Sequence, residues 1–343
     1  MPKTMFCSGI LLSLLFFSCG KKKDTIGIIT EYYKKGDFNG AVLIAKNDTI
    51  ICDTILGYSD FRAKKTFKKE TPFYIASLSK PITAIGIMLL EQKKLLTYNE
   101  KASRYLSDLP GYAQNITIRQ LLTHTSGIKD YEAPLSGSRG LTNQDILKWL
   151  YKQDGLKFAS GSQFEYSNSG YIILSLIIEH ISGKSYGTFF KDNVFVPLSM
   201  KHTTVYDETT PLIPDKAIGF TKEKQLDDYS LCTTGDGGIY ATVEDLYKLD
   251  RALKNNLLLN RNNVKLMYQP PGLSNGKDSE YGMGWFIEHS GENYIAQHTG
   301  GLNGFRSLIW RDLKNDETII ALTNQGDAFP LHNFLNDIKG SLE

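Results

Sequence analysis

Phe73-Tyr74-Ile75-Ala76-Ser77-Leu78-Ser79-Lys80-Pro81 leads into Ile82 to Leu90, apolar almost throughout, and then into Glu91-Gln92-Lys93-Lys94. The first four residues read as a short extended piece, and the apolar run with its polar end predicts a buried helix that emerges into water. Ser77 opens that predicted helix, where free backbone N–H groups and the positive end of the dipole favour developing negative charge. Pro81 suits the first turn, whose N–H groups lack helical partners anyway. A serine and a lysine three residues apart share a helix face, so the Lys80 amine can reach the Ser77 hydroxyl. A serine hydroxyl is a weak nucleophile until a base takes its proton, and a lysine can serve once desolvation or charge lowers its pKa. The same spacing recurs at Ser18/Lys21, Ser126/Lys129 and Ser274/Lys277. What separates Ser77 is the extended segment before it and the apolar helix after it.

Outward from this stretch, Ala41 to Ala45, the turn Lys46-Asn47-Asp48 and Thr49 to Asp53 read as a β-hairpin. Residues from about 100 to 230 mix helical stretches, such as Ile118 to His124 and Tyr171 to Ile181, with loops rich in Gly, Ser and Pro. Toward the C-terminus, Gly284 to Glu288, Asn293 to Gln297, Phe305 to Arg311 and Thr318 to Thr323 look like strands, with Lys314-Asn315-Asp316 as a hairpin tip. Strands therefore sit near both ends. The expected fold class is α/β of the α+β type: a mainly antiparallel sheet flanked by helices, with a largely helical lobe inserted. The expected sheet lobe spans about 38–100 and 230–343, and the helical lobe about 100–230.

The 343 residues are 41% apolar and 22% charged, so a packed soluble fold is expected rather than disorder or a fibrous repeat. Net charge is +2, with no basic stripe interleaved with aromatics, which argues against nucleic acid as a partner. Lys3, the apolar run Ile10 to Phe17 and Ser18-Cys19-Gly20 read as an export signal over residues 1–19, too short for a spanning helix of about 20 apolar residues. Residues 20–37 then form a tether, beginning Lys21-Lys22-Lys23-Asp24, and an N-terminal helix. Of the cysteines outside the leader, Cys52 and Cys232 are too few for a disulfide framework, and buried free thiols are the default.

Two more segments carry chemistry. In Tyr166-Ser167-Asn168, a tyrosinate beside a lysine ammonium makes a plausible base, and Asn168 can orient the lysine and donate to a substrate amide. In His298-Thr299-Gly300-Gly301, expected at the end of a strand, the glycines let a substrate approach the strand edge. The Gly301 N–H could there pair with that of Ser77 as an oxyanion hole.

In this order, Ser77-Leu78-Ser79-Lys80, Tyr166-Ser167-Asn168 and His298-Thr299-Gly300 resemble the motifs of serine β-lactamases and penicillin-binding proteins. The Y-x-N form is similar to that of class C β-lactamases, D-alanyl-D-alanine carboxypeptidases and related esterases. Leu121-Leu122-Thr123-His124-Thr125-Ser126-Gly127-Ile128 and Gly235-Asp236-Gly237-Gly238-Ile239 to Asp245 also look like landmarks of that group, and the resemblance spans about residues 38 to 325. It implies Ser77 as the acylated nucleophile, Lys80 and Tyr166 as the base pair, Asn168 as an orienting group, and His298 and Thr299 along an edge strand. Ser18-Cys19 likewise resembles the lipobox of bacterial lipoproteins. That implies lipidation of Cys19, a membrane held through the lipid, and an exported domain facing the periplasm or exterior.

The chain departs from many β-lactamases in carrying His298 where they have lysine. A histidine is mostly neutral at pH 7, so Arg306 is expected to supply part of the missing charge. Gly272-Leu273-Ser274-Asn275-Gly276 matches a G-x-S-x-G elbow, but Pro270-Pro271 precede it and Lys277-Asp278-Ser279-Glu280 follow, so a surface loop is expected. His124 is expected to be a hydrogen-bonded structural residue. Neither a metal nor a nucleotide is implied, and no cofactor is expected. The expected function is a serine hydrolase acting through an acyl-enzyme on a D-amino-acid peptide, a β-lactam or a small ester, with substrates of the peptidoglycan kind included. The alternative is a lipoprotein of the same fold that binds cell-wall peptides without turnover.

Overall fold

Asn47 and Asp48 both adopt the left-handed conformation (φ 50° and 60°) that a type I′ turn demands, so the chain doubles back where its sequence predicts. The computed structural model describes residues 24–210, 212–228, 231–290 and 293–342. The export signal, Cys19 and Lys21-Lys22-Lys23 lie outside the described residues. Asp24 caps α1 (Thr25–Lys35) by accepting the Gly27 N–H at 2.7 Å, and Gly36 ends it at φ 76°. The hairpin β1 (Gly40–Lys46) and β2 (Thr49–Leu56) follows, then a ribbon of β3 (Tyr58–Asp60) and β4 (Lys65–Thr66), and β5 (Phe73–Tyr74). A 3₁₀ turn over Ala76–Leu78 leads into α2 (Ser79–Gln92), buried from Ser79 to Leu90. Ser77 thus precedes the α-helix rather than opening it: it lies in the 3₁₀ turn, where the Leu78 N–H donates to the Ile75 carbonyl at 3.1 Å and Ala76 takes a φ of 48°.

Capping boxes at Thr117 with Gln120 and Thr142 with Asp145 start α3 (Ile118–Leu122) and α4 (Asn143–Tyr151). The helix α5 (Asn168–Ser182), buried from Asn168 to Ile178, packs on α2 and is followed by α6 (Tyr186–Phe190). The close approach of these helices needs Gly86, where a Cβ would fall 2.5 Å from Phe190 and 2.9 Å from Ile178. Next come β6 (Thr204–Val205) and β7 (Ile239–Ala241), which join β5 in a small sheet of order β5-β7-β6, and then α7 (Val243–Lys254) and α8 (Arg261–Met267).

The chain closes with β8 (Phe286–Ser290), β9 (Asn293–Leu302), β10 (Phe305–Asp312), β11 (Glu317–Thr323) and α9 (Leu331–Leu342). The main sheet has the order β2-β1-β11-β10-β9-β8 with antiparallel neighbours, and Leu43 of β1 faces Ile320 of β11. The fold is therefore a mainly antiparallel sheet, assembled from both ends of the chain and flanked by helices. Alternation explains why Ala41 to Ala45 is apolar without interruption. Ala41, Leu43 and Ala45 join the core with α2, α5 and α7, whereas Val42 and Ile44 face α1 and α9.

Arg251 and Lys254 of α7 clamp both hairpin tips, each pairing with Asp48 and Asp316. Cys52 and Cys232 are free thiols. The Gly272–Gly276 segment is a loop, pinned where the Ser274 N–H donates to the Gly161 carbonyl at 2.9 Å. A second expectation also changes: β9 does not stop at Gln297 but continues through His298-Thr299-Gly300-Gly301 to Leu302, because pairing with β10 persists to Leu302 opposite Phe305.

Candidate active site

Sheet and helices meet at the turn that carries Ser77. The Ser307 hydroxyl of β10 donates to the Ile75 carbonyl at 2.7 Å and holds the turn against the sheet. Gly300 of β9 lies beneath it. A Cβ there would stand 2.3 Å from the Ile75 oxygen, 2.4 Å from Ser307 Oγ and 2.9 Å from the Ser77 nitrogen, so only glycine lets the strand come this close. β8 pairs with β9 no further than Phe286 opposite Gln297, so among the described residues no strand pairs with the side of His298 to Leu302 that faces away from β10. Thr299 and Gly301 are exposed along that edge.

Lys80 is fully buried and donates all three N–H groups of its ammonium: to Ser77 Oγ at 3.1 Å, Asn168 Oδ1 at 2.7 Å and the Asp236 carbonyl at 2.9 Å. Its Nζ lies 4.8 Å from the centre of the Tyr166 ring. Burial pushes the Tyr166 phenol up, while the Lys80 charge and hydrogen bonds with Lys80 and Ser77 pull it back. Tyr166 is held from behind by His124, itself at φ 55°: the rings are 4.2 Å apart, and His124 Nδ1 accepts the Ser167 N–H at 3.1 Å. Burial, then the charge of Lys80, keeps His124 neutral.

Asn168, at the first turn of α5, is clamped by two acids. Its backbone N–H donates to Asp130 Oδ1 at 2.8 Å, and its Nδ2 donates to Glu132 Oε2 at 2.6 Å. Asp130 thereby takes the capping role that the Ser167 side chain leaves open. Asp236 is fully enclosed; burial raises its carboxyl to about 6, against the pull of Lys80 and of the Tyr131 hydroxyl, which donates to Oδ2 at 2.6 Å.

Ser77, Asn168, Gly301, Glu132 and Asp236 line one narrow cleft of about 30 Å³. Two roomier hollows, about 480 Å³ between α1 and α9 and about 610 Å³ beside α6, contain none of these groups. The structure thus brings Ser77, Lys80, Tyr166 and Asn168 together, with Gly300 and Gly301 against the Ser77 turn.

His298 does not reach the cleft. It is buried among Tyr281, Phe286 and Tyr166, donates through Nδ1 to the Thr299 carbonyl at 2.7 Å and accepts the Tyr281 hydroxyl at Nε2, 2.9 Å away. Burial, with Lys80 nearby, lowers it to about 3, so it is neutral. Arg306 is opposite Gly301, one residue out of step with Ser307, and so on the sheet face turned away from Ile75. Its Nη1 donates to the Asn303 and Phe305 carbonyls at the β9–β10 turn, and it does not line the cleft. The charge expected of Arg306 is therefore directed elsewhere. Asp130, Glu132 and Tyr131 carry no sequence signal, and Asp236 appears in a landmark without a role. Among the described residues no cluster of three His, Cys, Asp or Glu side chains could hold a metal.

A sequence model of the family described as Beta-lactamase matches residues 26–339. The chain belongs to the Beta-lactamase family. Among its relatives, penicillin-binding protein 4* of Bacillus subtilis (strain 168) is 34% identical over 330 residues, covering 89% of this chain and 72% of that protein. A penicillin-binding protein from Bacillus halodurans superposes with a TM-score of 0.78 at 26% identity, covering 92% of this chain and 98% of the other. D-amino acid amidase from Ochrobactrum anthropi SV3 superposes at 0.76 with 26% identity, covering 93% and 98%. This Beta-lactamase family member thus has penicillin-binding proteins and a D-amino acid amidase among its neighbours, and His298 stands in it as a buried neutral residue rather than a cleft cation.

Proposed function

We propose that the chain is a serine hydrolase that passes an acyl group through Ser77, taken from an amide or ester. D-amino-acid amides, peptides and small esters are favoured over β-lactams. The observation that carries this reading is the contact of Ser77 Oγ with Lys80 Nζ at 3.1 Å, with the other two Lys80 N–H groups engaged by Asn168 and Asp236. The amidase neighbour supports the D-amino-acid class. The neutral, enclosed His298 counts against a carboxylate-bearing β-lactam.

Ser77 Oγ attacks the carbonyl carbon, and its proton passes to the Lys80–Tyr166 pair in the form that already lacks one proton, ammonium with phenolate or neutral amine with phenol; the apparent pKa values belong to the pair. The Ser77 and Gly301 N–H groups stabilise the oxyanion. The pair returns the proton to the leaving nitrogen or oxygen as the C–N or C–O bond breaks. Water then adds to the acyl-Ser77 carbonyl, gives a proton to the same pair, and Ser77 leaves.

A fluorophosphonate or labelled penicillin is expected to modify the wild type at Ser77 and to spare Ser77→Ala. Equal labelling of the variant would remove the assignment, and a non-catalytic cell-wall-peptide binder would take up neither label. Turnover of a D-Ala-D-Ala peptide, nitrocefin and a p-nitrophenyl ester, measured side by side, ranks the substrates. Export and lipid attachment at Cys19 belong to the same proposal: palmitate fed to cells should enter the wild type and not Cys19→Ala.

A further inference from the structure

The cleft beside Ser77 is acidic. Its charged lining side chains among the described residues are Glu132, which is exposed, and Asp236. Glu132 Oε2 is bonded to Asn168 Nδ2 at 2.6 Å, and Asn168 Oδ1 to Lys80 Nζ at 2.7 Å, so this carboxylate is wired to the group that touches Ser77. The second carboxylate, Asp236, accepts the Tyr131 hydroxyl at Oδ2, while its enclosed Oδ1 has no hydrogen bond among the described residues.

Among the described residues no cationic side chain lines the cleft to offset them. Lys80 is saturated by three acceptors behind the nucleophile, Arg306 Nη1 is bonded to the Asn303 and Phe305 carbonyls, and His298 is enclosed by aromatic rings. A substrate carboxylate would find no partner here and two like charges. An ammonium would find an exposed carboxylate already oriented by Asn168. An α-amino group lies about 2.5 Å from its carbonyl carbon. Ser77 and Glu132 line the same cleft, so an α-amino group on a carbonyl that meets Ser77 stays within that lining.

We infer that the acyl part of the substrate carries a free ammonium recognised by Glu132, so that the preferred substrates are amides or esters of an unblocked amino acid. This rests on the acyl-transfer reading above. Glu132 is a specificity-determining residue: it selects the acyl group, and Ser77, Lys80 and Tyr166 transfer it.

The test compares kcat/KM for D-alanine p-nitroanilide with that for its N-acetyl derivative, and likewise for the two methyl esters, in wild type, Glu132→Gln and Glu132→Asp. Because Glu132 also holds Asn168, the quantity read is the ratio of free to acetylated substrate rather than either rate. The wild type should prefer the free amine. Glu132→Gln should cut that preference by about tenfold or more, as loss of a hydrogen bond between charged groups would, and Glu132→Asp should keep most of it. A wild-type preference for the acetylated compounds, a ratio unchanged within about twofold in Glu132→Gln, or no turnover of any of the four would overturn the inference.

Fluorophosphonate labelling, run in parallel, separates the two failures. If Ser77 labels while the ratio stays fixed, the charge assignment alone is lost. If Ser77 does not label, the acyl-transfer reading goes with it.

Discussion

Lys80 Nζ lies closer to Asn168 Oδ1, at 2.7 Å, than to Ser77 Oγ, at 3.1 Å. The lysine is thus aimed by α5 as much as by its own helix, and Asn168 is in turn aimed by Asp130 and Glu132. The Ser77–Lys80 contact thus depends on groups well behind the serine.

Asn168→Ala removes the acceptor that fixes Lys80 and leaves a buried N–H without a partner. The rate of Ser77 modification by a fluorophosphonate should fall about 10²-fold, the lower end of what a positioned proton-transfer group contributes. An unchanged rate would show that Asp236 and Ser77 suffice to hold the lysine.

Gly300→Ala places a Cβ within 2.3 Å of the Ile75 carbonyl and 2.9 Å of the Ser77 nitrogen, atoms of backbone that cannot swing aside. The variant should lose ~1–3 kcal/mol of stability by overpacking and acylate slowly. Gly111→Ala, where a Cβ meets nothing within 4 Å, serves as the control. Thermal unfolding and labelling kinetics of the two variants provide the check.

Burial holds folded His298 at about 3, against an ordinary histidine value of about 6.5 in the unfolded chain. The unfolded chain therefore binds the extra proton first as pH falls. Stability from this residue is complete above pH 6.5 and is lost on acidification toward pH 3, at up to about 1.4 kcal/mol per pH unit. Denaturant unfolding of His298→Gln between pH 6.5 and 4 should show a shallower loss than the wild type. The rate of Ser77 modification should show no His298 inflection between pH 6 and 8.

His124→Ala deletes the acceptor of the Ser167 N–H and the ring against Tyr166. An orphaned buried N–H costs ~1–3 kcal/mol, so the melting temperature should drop and acylation should slow. His124→Asn should recover part of both, since asparagine tolerates the left-handed backbone at φ 55° and offers an oxygen to the same N–H. Equal losses in both variants would assign the effect to ring packing alone.

Much of this was open to reading from the chain itself. Hairpin turns declare themselves through local chemistry, as at Asn47-Asp48, and the apolar Ala41 to Ala45 run reads as one strand of that hairpin. The meeting of Ser77 with Lys80 follows from three residues of helical spacing, so sequence by itself determined the sheet-and-helix class and the immediate neighbour of Ser77. Tertiary structure decided whatever depends on desolvation or on side chains far apart in the chain. The Lys80 contact with Asp236 spans 156 residues, and the Asn168 contact with Glu132 spans 36 with no motif between them. The side of the sheet that Arg306 faces depends on the β9–β10 register, and the neutrality of His298 on the aromatic shell around it. Local spacing is a property of the covalent chain, whereas burial and charge state belong to the packed whole.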